Sequence, residues 1–102
     1  MVFSAESMEK TLTEQITDTP EGMRIWQQER SIFEITERIC ELMEQQGISR
    51  SDLADSLDTT RSYITKLLDG TANMTIRKMS DVFLVLGRQF RIDDGPIPKP
   101  QE

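Results

Sequence analysis

Apolar residues recur at spacings of three and four through the middle of the chain. Ile32, Ile35, Ile39, Leu42 and Met43 trace one stripe, the mark of a helix buried along one face. Upstream, Asp18-Thr19-Pro20-Glu21 reads as a helix start: a capping oxygen, proline in the first turn, then an acid near the positive end of the helix. No proline interrupts from there to Gln46. One long helix is therefore expected, with Gly22 weakening its first turn so that it begins later or breaks near Ser31. Gly47 supplies the left-handed stop.

The next pattern is shorter and tighter. Ser49-Arg50-Ser51-Asp52 sets a capping oxygen three residues ahead of an acid, a variant of the capping box. A short helix follows, with Leu53, Ala54 and Leu57 inward. Asp58-Thr59 interrupts it, and Thr60 caps a second helix from Arg61 to Leu68 with Ile64, Leu67 and Leu68 inward. Asp69-Gly70 closes that helix. Two helices of about eight residues joined by so tight a turn must cross steeply. Ala54 is expected where they approach most closely, with Ile64 plugging the same contact.

The ends read differently. Residues 1–18 are polar with sparse apolar positions and are expected to form a flexible arm. Beyond Gly87 the run RQFRID alternates, which predicts a short strand carrying Phe90 and Ile92. A lone strand needs a partner, with a symmetry mate the obvious candidate; the alternative is an extended tail that packs on the chain's own body. The Pro-rich stretch 93–102 continues neither helix nor strand and is expected to be disordered or extended. The organisation expected is thus an arm (1–18), one domain (19–92) and a tail (93–102), in an all-α chain.

Composition narrows the function classes. The chain has 102 residues, enough for one core, and 36% hydrophobic with 29% charged residues describes a globular protein. No apolar run approaches a bilayer span, and MVFSAESMEK lacks the features of a signal peptide, so a cytoplasmic location and no membrane partner are expected. The single cysteine, Cys40, falls in the helical pattern and is expected as a buried or half-buried apolar residue. There is no histidine, which removes the Ser-His and Cys-His nucleophile systems and the commonest transition-metal ligand. The five glycines stand singly, so there is no phosphate-cradling loop. The chain is read as no enzyme, with no cofactor, no metal site and no catalytic residue.

Charge is uneven. The chain carries a net −6, and residues 1–47 alone hold 10 acidic against 4 basic side chains. Residues 48–91 hold 7 basic (Arg50, Arg61, Lys66, Arg77, Lys78, Arg88, Arg91) against 5 acidic, a local +2. Net charge governs nonspecific attraction while a local basic face governs docking on phosphates. The balance permits DNA binding and predicts weak affinity for random DNA.

The run ISRSDLADSLDTTRSYITKLLDG resembles the helix-turn-helix (49–69) of the lambda-repressor-like (Xre/Cro) family, which includes HigA-type antitoxins. The matching positions are Arg50, Leu53, Ala54, Leu57, Asp58, Thr59, Thr60, Ile64 and Leu67. The chain departs from the family at three of them: Arg50 replaces glutamine, Asp58 replaces glycine and Thr59 replaces an aliphatic residue. Asp is among the residues that visit the left-handed region. The resemblance extends through NMTIRKMSDVFLVLG, similar to the family's fourth helix with Thr75 as cap and Gly87 as stop. It implies a compact lambda-repressor-like helical domain, here with an N-terminal extension helix and a short C-terminal strand.

The resemblance also implies where DNA is touched. The second helix enters the major groove by its first turn, where side chains distinguish all four base pairs. Arg61 and Ser62 are the first candidates for base edges, followed by Tyr63 and Thr65. Arg50, Thr60, Lys66, Asn73, Thr75 and Arg77 are the phosphate candidates, which set register without reading sequence. Against this stands a plain structural reading: Arg61 and Lys66 as solvated helix residues, Tyr63 packed on the domain with only its hydroxyl outside. Met43, Met74 and Met79 read as core.

Partners follow from geometry. One recognition helix touches few base pairs, so a homodimer on inverted half-sites about 10 bp apart is expected on double-stranded DNA. The helix ahead of the family core exposes Met23, Ile25 and Trp26, for the domain's own back or for a partner surface: a second subunit or a toxin. Three functions remain open: a repressor-like regulator, an antitoxin that binds a toxin and regulates its own operon, and a protein-interaction module that has lost DNA binding.

Overall fold

The structure, a computed structural model, describes residues 17–97. It forms four helices there: α1 Pro20–Gln46, α2 Arg50–Ser56, α3 Arg61–Leu68 and α4 Ile76–Val85. No strand occurs among the described residues. By its contacts the described chain divides into two units, one of them Ile32–Asp93 and the other holding the described residues on either side of it. The expected arm lies outside the described residues up to residue 16, as does the Pro-rich tail from residue 98 onward.

The helix starts are set by side-chain oxygens. Thr19 Oγ1 accepts from the Gly22 N–H at 3.0 Å, with Pro20 in the first turn where its missing N–H costs nothing. Helix α1 then runs unbroken through Gly22 and Ser31 for 27 residues. Ser49 and Asp52 form the reciprocal capping box on α2, each accepting from the other's backbone N–H at 3.0 Å. Thr60 caps α3 through Tyr63 N–H at 3.0 Å, and Thr75 caps α4 through Lys78 N–H at 3.1 Å.

The helix ends share one device. After each helix a residue adopts positive φ: Gly47 at 68°, Asp58 at 55°, Gly70 at 81° and Gly87 at 73°. The N–H one residue further then reaches back to a carbonyl in the last turn. These bonds are Ile48 to Met43 (2.9 Å), Thr59 to Ala54 (2.9 Å), Thr71 to Lys66 (3.0 Å) and Arg88 to Phe83 (2.8 Å). All four described helices therefore close in a Schellman motif, which satisfies otherwise orphaned carbonyls. Three use glycine; α2 alone uses a residue with a side chain.

Within Ile32–Asp93 one core joins all four helices. It holds Ile39, Leu42 and Met43 from α1, Leu53 and Ala54 from α2, Ile64 and Leu67 from α3, and Met79, Val82, Phe83 and the following Leu86 from α4. Leu57, Leu68 and Met74, expected inside or in the core, are half-buried against its margin. Gln46 Nε2 donates to the Leu86 carbonyl at 2.7 Å and ties the end of α1 to the end of α4. The second half of α1 thus contributes to this core.

Three expectations need correction. Cys40 is exposed, not buried. It lies about 100° round the helix from Ile39, and the core-facing flank is filled instead by Thr36, whose hydroxyl donates to the Phe33 carbonyl at 3.2 Å. Of Met23, Ile25 and Trp26, only Ile25 is exposed; Trp26 is half-buried, with the Arg30 guanidinium 5.3 Å from its ring centroid. The segment after Gly87 forms no strand, because a single extended segment finds no ladder among the described residues. Phe90 instead stacks on Phe83 with centroids 5.3 Å apart, which is the packing on the chain's own body.

Candidate nucleic-acid interface

The site begins with the crossing of α2 and α3. Leu53, Ala54, Ile64 and Leu67 are sealed between them, with Ala54 at 1% and Ile64 at 0% exposure. Ala54 is buried in the core with them, and Asp58, at φ 55°, makes the turn between the two helices. With the apolar side of α3 buried, its opposite side must face solvent. Arg61 and Ser62, in its first turn, are exposed, and Arg61 engages no acceptor among the described residues.

The remaining sequence candidates fall into three groups. Arg50, the first residue of α2, reaches across to α3, where its Nη1 donates to Thr65 Oγ1 at 3.1 Å. Thr65 is half-buried, so this bond both fixes its rotamer and holds the guanidinium over the middle of α3. Thr60 and Thr75 spend an oxygen lone pair on their caps, yet each hydroxyl keeps a proton to donate. Lys66, Asn73 and Arg77 are exposed, the last in the first turn of α4.

Tyr63 is half-buried, and its ring lies under Lys78, whose Nζ is 5.7 Å from the ring centroid. A cation over an aromatic face is attracted by the ring quadrupole, so α4 steadies a side chain of α3. Lys78 was not among the sequence candidates. The contact joins residues fifteen apart on different helices, and helical periodicity carries no signal for it.

Asp69 was not a sequence candidate either. Asp69, at the end of α3, accepts from Thr71 Oγ1 at 2.7 Å and from Thr71 N–H at 3.0 Å. These two bonds hold its carboxyl below the usual carboxylate value, and the positive charges of Arg50 and Lys66 act the same way. Asp52 is lowered likewise, chiefly by the Ser49 backbone N–H and then by the Ser49 hydroxyl. Both side chains are ionised at neutral pH.

Two short helices joined by a tight turn, with the outer face of the second open, make a helix-turn-helix arrangement. A helix-turn-helix family model matches residues 41–91, half of the chain. The chain belongs to that family, the lambda-repressor-like group, which is one of DNA-binding regulators and not of enzymes. No curated protein and no solved structure matches it. No described helix is long and apolar enough to cross a membrane.

Proposed function

We propose that this chain is a repressor-like transcription regulator that reads an inverted-repeat operator as a homodimer. The observation that carries the reading is the open first turn of α3. Arg61 and Ser62 stand in solvent directly after the Thr60 cap, with no carboxylate on α3 itself. Arg61 can fork onto a guanine edge, Ser62 can meet a neighbouring base, and Tyr63 and Thr65 flank them. Arg50, Thr60, Lys66, Asn73, Thr75 and Arg77 would serve as backbone contacts, which would fix the register.

The dimer is supported by the size of the readout and by apolar side chains left in water. One first turn of helix touches too few base pairs to find a site among many. Phe33, Leu84 and Ile92 are all well exposed in the unit that holds the interface, at 59, 73 and 84%. Exposed apolar side chains of this size are what a second copy would cover. An antitoxin role is compatible with the same DNA surface, and a small reading frame beside this one, encoding a protein that co-purifies with it, would favour it.

Selection of bound duplexes from a random pool tests the proposal. The expected result is a two-fold symmetric site with half-sites about 10 bp apart, bound with an affinity that falls steeply as salt rises. Recovery of no preferred sequence overturns it and leaves a protein-interaction module.

A further inference from the structure

The phosphate-facing side of α3 carries an acid among its cations. Arg50 is pinned on Thr65 at 3.1 Å. Asp69 follows Thr65 by four residues, and its N–H donates to the Thr65 carbonyl at 3.0 Å, so the two side chains stack one turn apart on the same face. Lys66 lies three residues before Asp69 on the adjoining row. The carboxylate is not loose: Thr71 holds its Oδ1 with two bonds, at 2.7 and 3.0 Å. That leaves Oδ2 without a bonded partner among the described residues, and the charges of Arg50 and Lys66 reach the carboxylate through space, without a direct ion pair.

We propose that Asp69 is a fixed internal competitor for the DNA backbone, occupying in the free protein the field of Arg50 and Lys66 that a phosphate occupies in the complex. The inference rests on the DNA-binding reading and adds a regulating residue to it. A carboxylate held there weakens every duplex alike, because phosphates are the same at every sequence. Discrimination then rests on the first turn of α3, which Asp69 does not reach. The arrangement lowers specific and random affinity together and leaves their ratio to the first turn of α3. It also explains why the acid is tied to Thr71: a carboxylate free to rotate would swing away from an arriving phosphate and exert little effect.

The test is a double-mutant cycle on the full chain. Asp69→Asn keeps an Oδ1 acceptor for Thr71 and removes the charge; a melting curve confirms that the fold is retained. Titrations use the selected operator and a random duplex of equal length over a range of salt. The expected gain for Asp69→Asn is about three- to tenfold at low salt on both duplexes, as for one or two exposed ion pairs. The slope of log K against log salt should steepen by up to about 0.9, the value of one added phosphate contact. In the Arg50→Ala/Lys66→Ala background the gain should vanish.

A gain that survives in that background overturns the proposal, since Asp69 would then act only through overall charge. A loss confined to the operator overturns it as well and makes Asp69 a base contact. No change in either duplex also counts against it, while wild-type binding to the operator would still leave the DNA reading standing. Failure of both wild type and Asp69→Asn to bind any duplex sinks the DNA reading itself.

Discussion

Replacing Asp58 by glycine should make the protein more stable. Asp58 is the only residue with a side chain that the described part of the chain holds at positive φ, 55°. It sits where α2 closes, between the Leu57 cap and the Thr59 N–H that bonds the Ala54 carbonyl. For an L-residue the left-handed conformation costs about 1–2 kcal/mol, with Asp at the low end. A carboxylate at the negative end of a helix adds a further cost of about 0.3–1 kcal/mol. Glycine removes both but loses more backbone freedom on folding, about 0.5–1 kcal/mol. The balance is a gain of about 1 kcal/mol, equivalent to roughly 4–8 °C in the melting midpoint of a domain this size. Asp58→Asn should recover only the charge contribution, and Asp58→Val should fall below wild type by about 1–2 kcal/mol because a branched side chain fits this region worst. Urea and thermal unfolding followed by circular dichroism read the series, with the urea slope unchanged if only stability moves. The order glycine, asparagine, aspartate, valine is the claim. A glycine variant less stable than wild type, or a valine variant equal to it, refutes the account of the turn.

Other consequences test the crossing and the interface. Ile64→Ala should cost about 2–5 kcal/mol, since Ile64 is fully sealed between α2 and α3; a urea titration measures it. Ala54→Leu should cost about 1–3 kcal/mol by overpacking and should lower operator affinity more than stability alone explains, because α3 must tilt. Asp52 has its folded value held below 3.8, so its stabilising effect is complete above pH 3.8 and is lost as pH falls through the lower folded value. The wild type should therefore lose more stability on acidification through that window than Asp52→Asn, as read by urea midpoints on either side of it. Arg61→Ala should cost about 1–3 kcal/mol on the selected operator and relax one base position. Equal affinity for every base variant, before and after the substitution, would remove Arg61 from readout.

Much of the fold was legible in the sequence because its determinants are local. A capping oxygen acts within three residues, so Thr19, Ser49 and Thr60 could be read as helix starts from their neighbours alone. Gly47 and Gly70 marked ends for the same reason, the stripe through Ile39, Leu42 and Met43 needed only the helical period, and Thr75 and Gly87 came from the family resemblance. The family resemblance added what periodicity lacks, namely which exposed side of α3 would meet DNA.

Tertiary packing decided the rest. Cys40 is exposed and Thr36 buried because the neighbouring helices cover one arc of α1 and not the next, and no pattern along a single helix shows where that arc ends. RQFRID alternates like a strand, yet it pairs with no strand among the described residues, and Phe90 packs on Phe83 and the core as part of an extended segment. The clusters that set the chemistry of the interface, Arg50 on Thr65, Lys78 over Tyr63 and Asp69 among the cations, join residues brought close by the crossing or by the closing turn. Sequence order determined which groups were available; the three-dimensional arrangement determined which of them share a field, because charge and packing act through distance in space and not along the chain.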